Sequence, residues 1–166
     1  MTNISKRNFF KGLGVIMLSS FSANIGNNLL AHSDKNDNRN KSNFEKDKDA
    51  LIVVDVQNDF CPGGTLAVKE GDSIVSNINE IQKNFNYVFY TQDWHPKDHI
   101  SFSTNNKGKE VFSTIDVSYG KQVIWPPHCI FNTEGANFHK DLEVKHANAI
   151  IRKGFRKNID SYSGFF

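Results

Sequence analysis

The chain predicts an α/β domain built on a parallel sheet, and three observations point to it. Short apolar runs rich in β-branched or aromatic residues recur as "ALIVV", "YVFYTQD" and "NAIIRK", the pattern of strands buried in a sheet. One helical repeat, Ile74, Val75, Ile78, Ile81 and Phe85, falls between the first two. All three runs end at a titratable side chain, namely Asp55, Asp93 and Lys153. Strands alternating with helix argue for parallel pairing, and open α/β sheets place their sites beyond the carboxyl ends of the strands.

Taken in order, residues 1–31 form a signal-like segment. A basic start (Lys6, Arg7, Lys11) precedes an apolar core from Leu13 to about Phe21, with small residues after it. That is the layout of a secretory signal, and the core is too short for a comfortable membrane span. The order Ser-Lys-Arg-Asn-Phe-Phe-Lys resembles a twin-arginine signal with Lys6 where the first arginine would stand. An exported or periplasmic protein is expected. Residues 32–49 hold one large apolar residue, Phe44, among Asn, Asp, Lys and Ser. They cannot bury enough surface to offset chain entropy, and a polar linker is expected there.

Residues 50–166 carry the α/β domain. "ALIVVDVQNDF" opens with a strand, apolar on both faces, that ends at Asp55. "CPGGTLAV" then breaks the chain at Pro62, Gly63 and Gly64, which predicts a loop. The helical repeat follows, with Asp72 or Ser73 as N-cap. The second strand stops at Asp93. Residues 100–125 show no clean periodicity and predict a long loop over the strand ends. "GANFHKDL" predicts a short helix, and "NAIIRKG" the third strand, ending at Lys153.

Composition narrows the function. Net charge is +2, and the basic residues are scattered or paired with acids rather than striped with aromatics. That pattern excludes a nucleic-acid surface. Two cysteines, Cys61 and Cys129, make no disulfide scaffold and are read as buried packing thiols.

"QDWHPKDHISF" is the sharpest chemical signal, with Asp93, His95 and His99 inside seven residues. Alternation puts Asp93 and His95 on one face, where a carboxylate and an imidazole can share a metal. "WPPHC" supplies a further imidazole, His128. Mixed oxygen and nitrogen donors suit one divalent ion, either zinc, iron or manganese. After Asp55, the residues Gln57, Asn58 and Phe60 offer amides and a ring to a small polar aromatic ligand. Asp55 and Lys153, at neighbouring strand ends, would hold a proton acceptor and a cation around one reacting group.

"LIVVDVQNDFCPGGTLAV", "TQDWHPKDHISF", "WPPHCIFNTEGANFHKDL" and "RKGFRKNIDSYSGFF" together resemble successive signature blocks of the nicotinamidase/pyrazinamidase family, within the isochorismatase-like cysteine hydrolases. The resemblance runs from about Ala50 to the last residue. It implies a three-layer α/β/α fold with a six-stranded parallel sheet. It also implies hydrolysis of nicotinamide to nicotinate and ammonia, with a divalent metal holding the pyridine nitrogen. Asp55 then matches the triad aspartate and Lys153 the triad lysine. Asp93, His95 and His128 match metal ligands, and His99 matches a histidine that ligates in some members and stands close by in others. Phe60 and Trp125 match the residues that flank the ring. The family's nucleophile is a cysteine in a "TDYC"-like turn after a later strand, which neither Cys61 nor Cys129 matches. The expectation is therefore a domain lacking its C-terminal part, with about three of six strands, an open sheet edge and no ammonia release by this polypeptide alone. Two alternatives share some of these residues. Another isochorismatase-like hydrolase would use Asp55 and Lys153 without the metal set, and a non-catalytic metal-binding remnant would use the metal set alone.

Overall fold

The computed structural model describes residues 15–18 and 44–164. Apart from Val15–Leu18, the signal-like segment lies outside the described residues, as does the linker up to residue 43. In chain order the strands are β1 (Val15–Leu18), β2 (Ala50–Val54), β3 (Tyr87–Asp93), β4 (Thr114–Val117), β5 (Gly120–Val123) and β6 (Ala149–Lys153). One α-helix, α1 (Val75–Ile81), stands among the described residues.

β2 pairs with β3 and β3 with β6, both in parallel, and β1 lies antiparallel on the other side of β2. The sheet order is β1-β2-β3-β6. The three runs read as strands from the sequence thus form three adjacent parallel strands. Their register aligns Val54 with Thr91 and Asp93 with Lys153, so the three polar side chains reach one end of the sheet.

β2 is covered unequally. Leu51 and Val53 are fully buried, whereas Ala50, Ile52 and Val54 are only partly covered. The apolar sequence on both faces predicted equal burial. Among the described residues α1 packs on one face only, where Val75 and Ile78 join Leu51, Val53, Phe85, Val88 and Tyr90 in the main core. β6 forms an edge of the sheet, and its Ile150 is nearly half exposed.

Three local expectations are corrected. Neither Asp72 nor Ser73 caps the helix. The chain turns at Glu70 in the left-handed region (φ 58°), and a 3-10 turn over Gly71–Ile74 feeds α1. Backbone carbonyls of Glu70 and Asp72 already satisfy the N–H groups a cap would have served. The segment 135–142 is not a helix. A 3-10 turn over Glu134–Ala136 ends in extended backbone at Asn137, and Phe138 bridges to Gln57 and packs edge-on to Tyr90. Residues 100–125 are not all loop, since β4 and β5 form an antiparallel hairpin around Ser118 and Tyr119. The hairpin is mostly exposed, so it carries little of the apolar patterning that marks a strand.

Candidate active site

The parallel register delivers Asp55, Asp93 and Lys153 to one spot. Lys153 Nζ lies 2.6 Å from Asp55 Oδ2 and also contacts Asp93 Oδ1. One ammonium therefore stands between two carboxylates, and all three residues are buried. Asp55 leaves β2 in the left-handed region (φ 52°), a conformation that aspartate tolerates better than β-branched residues. Its Oδ1 accepts the Thr91 hydroxyl at 2.6 Å, which fixes the carboxylate.

The charges are not shared evenly. Burial raises Asp55 above the usual carboxylate range, and the neighbouring Asp93 adds to that against the pull of Lys153. Burial also opposes ionisation of Asp93, but the facing His95 and the Lys153 charge outweigh it and hold Asp93 low. Lys153 is raised, because the two carboxylates more than offset its burial. Asp55 is thus the acid of the pair more ready to take up a proton.

Beside this trio stand the imidazoles. A bridge between His95 and Ile130 brings the Trp-Pro-Pro-His segment alongside the end of β3. His95 Nδ1 lies 2.8 Å from the Gly154 carbonyl, and His128 Nδ1 lies 2.8 Å from that of Pro126. A carbonyl can only accept, so each Nδ1 carries a proton, and each ring when neutral presents a lone pair at Nε2. Both point at Asp93 Oδ2, at 3.6 Å from His95 and 3.9 Å from His128. Burial opposes a charge on His95, but Asp93 raises it above its ordinary value. A carboxylate with two imidazole nitrogens around one point is a donor set that suits a cation, and N–H donation to backbone is what orients metal-binding histidines. The donor set fits a divalent metal. Gly154 leaves room for the His95 ring, since a Cβ there would lie 2.3 Å from His95 Cε1.

His99 is placed differently. Its ring centroid is 4.6 Å from that of His95, but its nitrogens face the Ser101 hydroxyl at 2.7 Å and the Ile159 carbonyl at 3.3 Å. A second group that could hold an ion consists of His95, His99 and Asp160, with ligand atoms within 4.8 Å of one another. Asp160 gave no signal in the sequence, being one acid in a basic segment far from the histidines. Phe60 and Trp125 share an aromatic cluster over the histidines, with centroids 5.6 and 6.4 Å from His128. A cavity of about 190 Å³ adjoins Asp55, Phe60 and Cys61.

Gln57 and Asn58 do not offer their amides to a ligand. Gln57 is fully buried, and its side chain clamps both backbone groups of Asp93, donating to the carbonyl at 2.8 Å and accepting the N–H at 2.7 Å. Asn58 donates to Glu134. Both amides therefore build the site's walls. Asp59, not singled out in the sequence, accepts the Cys129 N–H at 2.6 Å and so anchors the residue after His128.

The thiols are inert as placed. Cys129 is fully buried, and burial followed by repulsion from Asp93, Asp59 and Asp55 pushes its thiol far up. Burial also raises Cys61. A reactive cysteine needs the opposite environment.

The metal-free protein has a testable acid limb. Burial, and then the neighbouring His95, depress His128 to about 4 from the usual 6.5. Between those values the unfolded chain binds a proton that folded His128 refuses, so this contribution to stability falls as pH drops from about 6.5 toward 4. Urea midpoints measured in chelator across that range should fall more steeply for the wild type than for His128→Asn. Parallel curves would show that His128 is not held neutral.

Comparison with known proteins follows the same lines. The isochorismatase domain matches residues 49–164. The nicotinamidase of Acinetobacter baylyi is 54% identical over 116 residues, which cover 70% of this chain and 54% of that protein. The solved nicotinamidase/pyrazinamidase of Acinetobacter baumanii superposes with a TM-score of 0.67 at 55% identity, over 68% of this chain and 55% of that one. The Pyrococcus horikoshii pyrazinamidase, solved in complex with zinc, gives 0.54 at 40% identity, over 69% and 56%. The chain spans little more than half the length of the curated relatives it matches. Sequence, sheet and register agree, and the chain belongs to the isochorismatase family, within its nicotinamidase/pyrazinamidase branch.

Proposed function

We propose that this chain forms the ring-binding and proton-handling part of a nicotinamidase-type amide hydrolase acting on nicotinamide. The observation that carries the reading is the pair of adjoining poles at the sheet end, Asp55 with Lys153 and the convergent Asp93, His95 and His128. In this reading Phe60 and Trp125 sandwich the flat ring and exclude water from it. A divalent ion, with zinc, iron and manganese all compatible, would fix the pyridine nitrogen when held by Asp93, His95 and His128. Asp55 takes the proton of an attacking group, and Lys153 keeps the resulting anion stable by its fixed charge. Fixing the ring presents the carboxamide to that pair, which is the main gain from a rigid site. Among the described residues no cysteine is placed to attack, since Cys61 and Cys129 are both held as thiols.

The basic start and short apolar core of residues 6–21 support export as part of this proposal. Cleavage after such a segment would remove β1 and open that edge of β2.

The test is calorimetric titration of the metal-loaded chain with nicotinamide and with benzamide, which lacks the ring nitrogen, alongside an ammonia assay. Nicotinamide should bind, benzamide should bind at least about tenfold more weakly for want of one metal contact, and no ammonia should appear. Equal binding of the two would remove the ring nitrogen from the reading. Metal uptake without nicotinamide binding would favour a non-catalytic metal-binding protein. Ammonia release abolished by Asp55→Ala would relocate the nucleophile to one of the two thiols.

A further inference from the structure

Trp125 is edge-on to Phe112 at 5.8 Å and 6.4 Å from the His128 ring. Its indole N–H is tied down, with Nε1 donating to the Tyr162 hydroxyl at 3.1 Å. Gln122 Nε2 donates to Asp160 Oδ2 at 2.6 Å and to the Val123 carbonyl at 2.8 Å, and lies 3.2 Å from the same hydroxyl. Gln122 Oε1 accepts the Tyr119 hydroxyl at 3.3 Å, and Tyr119 Oη accepts the Asp160 backbone N–H at 3.0 Å. Gln122 is 2% exposed, so the network has a buried centre beneath the exposed rings of Tyr119 and Tyr162.

Tyr162 divides its surface. The residue is 57% exposed, yet its hydroxyl is turned inward onto Trp125 and Gln122. Burial pushes the phenol up to about 12, with the Asp160 charge adding to it. The hydroxyl thus stays protonated and can accept from Trp125 while donating to Asp160. Asp160 lies beside His95 and His99. The network therefore runs from the histidine cluster to the aromatic wall, joining the β4–β5 hairpin to the segment after β6.

We infer that Tyr162 and Gln122 are positioning residues that set the orientation of the Trp125 indole as a wall of the ring site and tie it to Asp160. The inference rests on the reading of Trp125 as a ring-flanking residue. Two torsions orient an indole, and the Nε1 bond is a polar contact that favours one of its possible rotations. Packing confines the ring, since Trp125 is buried in a cluster with Phe60, Leu66 and Cys129, but on its Phe112 side it meets a residue that is 44% exposed and in a left-handed turn (φ 68°). The ring of Tyr162 buries little, so Tyr162→Phe removes the bond and leaves the packing.

The chain has two tryptophans, so a Trp94→Phe background isolates the fluorescence of Trp125. In that background Tyr162→Phe should lower the anisotropy of Trp125 and raise its quenching by acrylamide, with far-UV circular dichroism unchanged. Nicotinamide affinity of the metal-loaded protein, read from the same fluorescence, should fall by about five- to tenfold for the loss of one hydrogen bond. Gln122→Met should act in the same direction. The double variant should be no worse than the poorer single, because both act through one contact. Unchanged anisotropy in both variants, with nicotinamide still bound by the parent, overturns the positioning role and leaves the proposed function standing. Lowered anisotropy with no nicotinamide bound by the parent supports the positioning role and overturns the proposed function.

Discussion

Lys153→Met is expected to cost about 3–5 kcal/mol of stability, the usual penalty for removing one partner of a buried ionic group. A domain holds about 5–15 kcal/mol in total, so this one change consumes much of it. The reason is the two carboxylates left behind. Asp55 and Asp93 share one ammonium in a buried pocket, and no other lysine or arginine among the described residues pairs with them. Methionine keeps the unbranched stem of lysine and stops one heavy atom short of the ammonium, so the loss measures mainly charge rather than shape. Urea unfolding followed by circular dichroism gives the value. Adding Asp55→Asn to Lys153→Met should recover part of it by removing one of the unpaired charges. A loss under about 1 kcal/mol, the range of exposed ion pairs, would show that water reaches the trio.

His95→Ala is expected to abolish metal binding. His95 is the one residue common to both groups able to hold an ion, Asp93 with His128 on one side and His99 with Asp160 on the other. Loss of an outer hydrogen-bond partner alone weakens metal sites by about 10–100-fold, so loss of a ligand should exceed about 100-fold. Competition against a chromophoric chelator, with metal content by mass spectrometry, reads this directly. His128→Ala and Asp160→Ala then separate the two groups. The first should weaken binding strongly and the second mildly, because the Nε2 lone pairs of His95 and His128 converge on Asp93 while His99 is turned to Ser101 and Ile159. Undiminished metal content in His95→Ala would place the ion elsewhere.

The parts legible in the sequence were those set by burial and by local spacing. β2, β3 and β6 announced themselves because apolar strands inside a sheet have no polar alternative. Asp93 and His95 were visible as a pair because two residues are one repeat of a strand. Much else was not visible. β4 and β5 bury so little that no pattern marks them. Gln57 looked available to a ligand, because a sequence cannot show that its amide will pair with a backbone 36 positions away. Asp160, Asp59 and Thr91 owe their places to long-range packing alone. The predicted cap at Asp72 or Ser73 failed for a local reason, since a 3-10 turn had already used the N–H groups.

The alignment of β3 with β6 has a genetic consequence. Asp93 meets Lys153 only in one register, and a slip by one position turns every side chain of β6 to the opposite face. A misaligned copy would bring Arg152 or Gly154 to that place and strand the acids without their ammonium. The pairing therefore acts as proofreading, because a wrongly zipped sheet is penalised by its own core charges. A single inserted codon between Asn148 and Lys153 should read as a null allele, lost through misfolding and clearance rather than through slower chemistry.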